Sequence, residues 1–275
     1  MSLLVREPRF SPESFDKRPA FLAAFAAMIL ATFLLAPGDI DSKTHFALHG
    51  LCAQRPSHSL QIGGATLPLD ARMTGIYIGA ATSVLWLVAI GRLRATRTPG
   101  WPVLAVLAAF VVALGVDGSN ALLVDLGWSH PYEPSNNLRI ATGILGGTSL
   151  GMVLGHLFAA SMWTAGDRNS SVVKNVPELL APVVISGAIA FLALADLPIL
   201  YAPFAVGLLA AAVGVFWLLC MVVVALVSDR GWSCRTFADL TPVAIVGFIA
   251  AVVTVGALSW LRLVAERFLG LPQLT

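Results

Sequence analysis

The stretch RIATGILGGTSLGMVLGHLFAASM, residues 139–162, runs for 24 residues with a single charge, Arg139 at its head. A hydrocarbon core about 30 Å thick needs roughly 20 apolar residues of helix, so this stretch reads as a membrane span. It is continuously apolar and does not alternate, which excludes a strand of a lipid-facing barrel. Gly143, Gly147, Gly151 and Gly155 recur every four residues and fall on one helix face. Such a strip of small residues lets a second helix approach until van der Waals contact holds the pair, the main adhesive in lipid; the alternative is a groove that admits a lipid or isoprenoid chain. His156 lies beside the strip, about 25 Å from Arg139 at 1.5 Å per residue. It reads as a hydrogen-bonding partner for a neighbouring helix, with pigment or haem ligation as the alternative.

Six further apolar runs flank this one, near Phe21–Ala36, Gly75–Ile90, Trp101–Val116, Leu179–Leu200, Pro203–Val227 and Pro242–Val264. The expected fold class is therefore all-α, a polytopic bundle of about seven transmembrane helices forming one domain over residues 1–275. The whole composition agrees, with 57% hydrophobic residues, 12% charged and a mean hydropathy of +0.84. Soluble domains carry about 25% charged residues, so a water-soluble globule, a disordered chain and a disulfide-stapled secreted module are excluded. A net charge of +2 supplies no basic field for nucleic acid. The expected partners are membrane lipids, with partner membrane subunits as an open alternative, and the expected location is the cell (inner) membrane, multi-pass.

Orientation follows the Lys and Arg bias between spans. Arg6, Arg9, Lys17, Arg18, Arg92, Arg94, Arg97, Arg168, Lys174, Arg230 and Arg235 fall on one side. Lys43, Arg55, Arg72, Arg139, Arg262 and Arg267 fall on the other. This favours the N-terminus inside and the C-terminus outside. The first run leaves through Leu35-Ala36-Pro37-Gly38-Asp39 without a small-x-small cleavage site, so it reads as a retained span and not a signal peptide.

Two long segments, 37–74 and 117–138, then face outward, and long structured loops are where sites are found. If the first contains a short helix ended by Pro56, then His45, His49 and Cys52 share a stripe at i, i+4 and i+7, residue types that bind zinc or another borderline metal. A metal is the disfavoured reading, because a third or fourth ligand is not clearly supplied; His58 and Asp70 are no more than candidates for it. Asp125, His130 and Glu133 could add to a polar or metal site in the second segment.

Charges near one membrane surface form the most suggestive set: Asp70 and Arg72 before the second span, Asp117 closing the third, Arg139 opening the fourth and Asp196 near the end of the fifth. Ionisable residues at membrane depth are functional by default. They read equally well as structural ion pairs tying helix ends together, for example Arg139 with Asp117. The last three spans, 179–264, carry few other polar residues and look like scaffold.

Residues 45–155 contain separated motifs in order: Cys52-Ala53-Gln54-Arg55-Pro56, then Leu67-Pro68-Leu69-Asp70-Ala71-Arg72-Met73-Thr74-Gly75-Ile76-Tyr77, Asp117-Gly118, and Ser135-Asn136-Asn137-Leu138-Arg139-Ile140-Ala141-Thr142-Gly143. These resemble a bacterial integral-membrane family of unknown function, domain of unknown function twenty eighty-five. The family's Cys-x-Arg-Cys segment is altered here to Asp70-Ala71-Arg72-Met73, and the His after its first Cys is Ala53. The resemblance implies a membrane location and marks Arg72, Tyr77, Asn136 and Arg139 as ligand-binding candidates, but it carries no reaction and no thiol site for this chain.

Two functions follow as expectations. One is a non-enzymatic binder, transporter or accessory subunit of a membrane complex with its polar cluster at the outer face. The other is a membrane-embedded enzyme in which Asp117, Asp196 or Asp70 serves as acid or base while Arg72 and Arg139 hold an anionic or lipid-linked substrate.

Overall fold

The computed structural model describes residues 18–227 and 234–270. Arg6, Arg9, Lys17 and Arg230 of the orientation argument lie outside them. The described residues are mostly helical, and among them six helical segments are long and apolar enough to cross a membrane. They are built on α3 (Ala71–Ala89), α4 (Trp101–Asp125), α5 (Asn136–Met162), α6 (Val176–Leu194), α7 (Tyr201–Val227) and α8 (Thr241–Leu269). The first apolar run forms α1 (Arg18–Leu35), an 18-residue helix that is not among the six. A short helix, α2 (Ile40–Leu48), follows it.

The mostly helical content is what the all-α reading expects, and among the described residues two small two-stranded sheets accompany the helices. An antiparallel hairpin, β1 (Ser59–Ile62) and β2 (Ala65–Asp70), sits where α3 begins. Its turn is Gly63-Gly64, both at positive φ, a conformation glycine adopts without the Cβ penalty. A parallel pair, β3 (Ala95–Arg97) and β4 (Asp167–Ser171), closes the opposite end. Backbone groups outside the bilayer core thus find partners in sheets where helices stop.

Helix limits follow from local chemistry. Asp70 caps α3 by accepting from the Met73 N–H at 2.8 Å, Ser135 caps α5 through Leu138 N, and Asn175 caps α6 through Glu178 N. A side-chain oxygen at that position satisfies one of the otherwise orphaned N–H groups of the first turn. Helix α8 stops at Gly270, which is left-handed.

The third run extends further than hydropathy suggests. Helix α4 continues through Asp117, Gly118, Ser119 and Asn120 to Asp125, so Asp117 lies inside the helix and does not close it. Those polar residues read as a stop signal, but Asp117 and Asn120 are buried and have partners that the sequence alone does not reveal.

Helices α3 and α5 run in the same direction, with α4 connecting them in the chain, and pack backbone to backbone along much of their length. Gly143 packs against the Arg72 carbonyl, Gly147 against that of Ile76, and Gly151 against that of Ala80. The fit is reciprocal: Gly75 faces the Ile140 carbonyl, and a Cβ at Gly79 would come within 2.5 Å of the Ile144 carbonyl. Small residues on both helices bring backbone to backbone, where dispersion and weak Cα–H···O contacts add along the length. Gly155 leaves this register and meets the Leu87 side chain instead. The result places the first turns of α3 and α5 side by side, and the polar residues there are brought together.

Candidate functional site

At the end of the bundle that carries the hairpin, α3, α4 and α5 converge on a buried carboxylate. Asp117 is 1% exposed. Its Oδ2 accepts from Arg72 NH2 at 2.7 Å and Nε at 3.2 Å, and from the Thr142 hydroxyl at 3.1 Å. Its Oδ1 accepts from the Tyr132 hydroxyl at 3.2 Å. The segment bearing Tyr132 is itself held by Asn120, whose side-chain amide donates to the Tyr132 carbonyl at 2.8 Å. A buried charge without such partners would be strongly disfavoured. The cation facing Asp117 is therefore Arg72, and the expected Arg139–Asp117 pair does not form.

Arg139 is 7% exposed, and its NH1 donates to Asn136 Oδ1 at 2.9 Å. Asn136 in turn donates to the Ser57 and Ser59 carbonyls, which ties the start of α5 to the hairpin. No carboxylate pairs with Arg139 among the described residues. It lines a cavity of about 210 Å³ together with Arg72, Asp70, His58 and Asp125. Asp125 is engaged by Arg55 at 2.8 Å, and one oxygen of Asp70 is engaged by the α3 cap. Burial, reinforced by the nearby Arg139 charge, lowers the His58 pKa below its ordinary value, because both disfavour the imidazolium.

Other sequence candidates lie elsewhere. Asp196 is exposed in the turn between α6 and α7, where its Oδ1 accepts from Gly63 N at 2.7 Å. It pins the hairpin and does not join the cavity. Tyr77 is buried in the apolar core with Cys52, one turn below the cavity. His130 is partly buried and 3.0 Å from the exposed Glu133, and the hydrogen bond to that carboxylate raises its pKa. The Nδ1 of His156 is buried in α5 without a hydrogen-bond partner.

The proposed His45, His49 and Cys52 stripe is broken, because α2 stops at Leu48 and Cys52 lies beyond it. His45 bonds back to Asp41 at 3.0 Å. The Cys52 sulfur accepts from Asp70 N at 3.2 Å and Gln54 N at 3.4 Å. Burial, with the Asp70 charge beside it, pushes this thiol up to about 11. Among the described residues no group of three or more His, Cys, Asp and Glu is placed to hold a metal.

His49 instead anchors a second polar network that hydropathy reading missed. Gln54, at a left-handed φ of 53°, donates through Nε2 to the His45 and Pro68 carbonyls, leaving Oε1 to accept from His49 Nδ1 at 3.0 Å. The other ring nitrogen of His49, Nε2, lies 2.8 Å from Glu266 Oε2. Arg262 Nε holds the other Glu266 oxygen at 2.7 Å, and its NH1 donates to the His49 and Cys52 carbonyls. The signal for this network was present as Arg262 near the end of the last apolar run and Glu266 four residues on, just beyond it, a spacing that puts both on one helix face.

Comparison with known proteins agrees with the membrane reading of this region. Residues 52–153 match a family model described as a predicted membrane protein (DUF2085). The match covers the hairpin, α3, α4 and most of α5, which is the part of the chain that builds the Arg139 cavity. No curated protein and no solved structure matches the chain.

Proposed function

We propose that this chain is a multi-pass inner-membrane protein of seven spans, α1 and the six longer helical segments, with its N-terminus inside and C-terminus outside. On this reading it is a non-enzymatic binder that receives an anionic group in the α3–α5 cavity at the outer face. The observation that carries the binding site is Arg139, a buried guanidinium without a carboxylate partner that opens on a cavity beside a second arginine. A cavity of about 210 Å³ holds several waters at about 30 Å³ each, so it suits a phosphate-sized group. Arg is fitted to such a group by its planar fork of donors. The binder reading is favoured over chemistry because Asp117 already accepts from Arg72, Thr142 and Tyr132, leaving it no role as a base. The orientation is supported by Arg92, Arg94, Arg97, Arg168, Lys174 and Arg235 gathering at the opposite end.

The enzyme alternative has one supporting feature: His58 lines the same cavity, in an environment that favours its neutral, base-competent form. Titration of the purified protein with inorganic phosphate, read by thermal unfolding, separates these readings from a purely structural cluster. Binding is expected in the wild type and about tenfold weaker in Arg139→Gln, the scale of one charge-assisted hydrogen bond. Wild-type protein that ignores phosphate, or a variant that binds it unchanged, overturns the proposal. Release of phosphate from an added phosphate ester that His58→Gln abolishes would replace the binder with the enzyme. Reporter fusions at the two termini test the topology: both on one side overturns seven spans, and an outside N-terminus with an inside C-terminus overturns the orientation.

A further inference from the structure

A different part of the bundle carries a second site, independent of the Arg139 reading. Between α3, α7 and α8 runs an apolar groove of about 630 Å³, lined among others by Leu93, Phe158, Gly214, Met221, Phe237 and Ala244. Along α7 it extends from Gly207 to Met221, about 21 Å at 1.5 Å per residue. That exceeds the roughly 15 Å of hydrocarbon in one leaflet, half the bilayer core. Gly207 and Gly214 have nothing within 4 Å of where a Cβ would stand. These two glycines therefore open space on the groove side of α7, while Ala205, Ala212 and Ala225 of the same helix are buried.

The charge at one end of the groove says what fills it. Phe237, on the groove wall, lies 5.1 Å from the Arg94 guanidinium, which also stacks over Trp163 at 4.4 Å. Arg94 donates to the Arg235 carbonyl at 2.8 Å, and no carboxylate pairs with it among the described residues. Arg97 and Arg235 stand on the same exposed rim, while Arg92 is taken by Glu178 at 3.5 Å. The carboxylates of Asp167 and Asp239 are drawn into backbone N–H groups of their own turns. An apolar channel that ends under a stacked, carboxylate-free arginine complements a molecule with a long hydrocarbon chain and an anionic head.

We infer that this groove holds one acyl chain of an anionic glycerophospholipid, with its phosphate at Arg94. A basic rim at a membrane surface attracts anionic lipid by ordinary electrostatics, and the groove converts that attraction into a seated molecule. The full chain, purified in mild detergent and exposed to an equimolar mixture of phosphatidylglycerol and phosphatidylcholine, is examined by native mass spectrometry. One phosphatidylglycerol is expected to remain, preferred about fivefold over phosphatidylcholine, the scale of one basic residue at a headgroup. Arg94→Gln should abolish the preference. Gly214→Leu, which fills open space and leaves the helix contacts intact, should release both lipids. Equal retention of the two lipids by the wild type overturns the inference, as does a preference that survives Arg94→Gln. A lipid-free dimer that Gly214→Leu dissociates would assign the groove to a second copy of the chain.

Discussion

Helices α5 and α7 are each 27 residues long and rich in small residues, yet they use their glycines in opposite ways. On α5, Gly143, Gly147 and Gly151 press against the backbone of α3, and 67% of its most apolar stretch is buried within the protein. On α7, Gly207 and Gly214 face open space, and the corresponding figure is 28%. The difference lies in the neighbour. Helix α3 offers Gly75 and Gly79 in matching register, so carbonyls of each helix enter the gaps of the other, whereas Gly207 and Gly214 line a groove whose other walls carry larger side chains such as Leu85, Phe158 and Phe237. A run of glycines is thus a surface whose meaning is set by what stands opposite.

The sharpest way to break this comparison is to substitute one glycine on each helix. Gly147→Leu would drive a side chain into the Ile76 carbonyl, where neither backbone can yield, and should destabilise the protein by about 3 kcal/mol or more. Gly214→Leu should lose nothing and gain up to about 1 kcal/mol of helix propensity. Thermal unfolding in one detergent measures both, and equal losses would erase the distinction between the two faces.

A smaller effect tests the charge that the α3–α5 contact positions. Asp117→Asn leaves Arg72 without its counter-charge in a partly buried setting and should cost about 3 kcal/mol. Asp125→Asn, at the exposed pair with Arg55, should cost less than about 1 kcal/mol. Comparable losses in the two variants would mean that the Asp117 cluster is no more buried than the surface.

The smallest effect concerns Cys52, which lies beneath the start of α3. Its thiol, ordinarily near 9, is pushed up to about 11, so at pH 8 the thiolate is roughly a hundredfold scarcer than in an ordinary cysteine. Alkylation of the folded protein should be correspondingly slow and should rise about tenfold per pH unit up to about 11. The folded state holds this proton more tightly than the unfolded chain. Its contribution is therefore fully present below pH 9 and is lost as pH rises toward 11. Alkylation at the rate of a free thiol at pH 8 would show that the end of α3 is not packed as described.

Much of this architecture can be read from local pattern. The apolar runs locate the helices, and the spacing of Gly143, Gly147 and Gly151 marks a face. Arg72, Asp70 and Arg139 emerge as a set from their rarity in an apolar chain. Other features depend on partners distant in sequence. Asp117 continues α4 instead of ending it because Arg72, Thr142 and Tyr132 come from three other segments to satisfy it. His49 reaches Glu266, 217 residues away, and that pairing has no local periodicity to announce it. Asp196 attracted notice as a charge in an apolar run, yet its position in a turn leaves it pinning a hairpin.

Composition and hydropathy by themselves determined that this chain lives in a bilayer as a set of helices, because lipid leaves an apolar backbone no other way to satisfy its hydrogen bonds. Only the tertiary structure decided which glycines are contacts and which are space, and which arginine is neutralised and which stays available. Those outcomes depend on register and distance between helices, and in lipid these are set by close packing and by the pairing of a few buried polar groups.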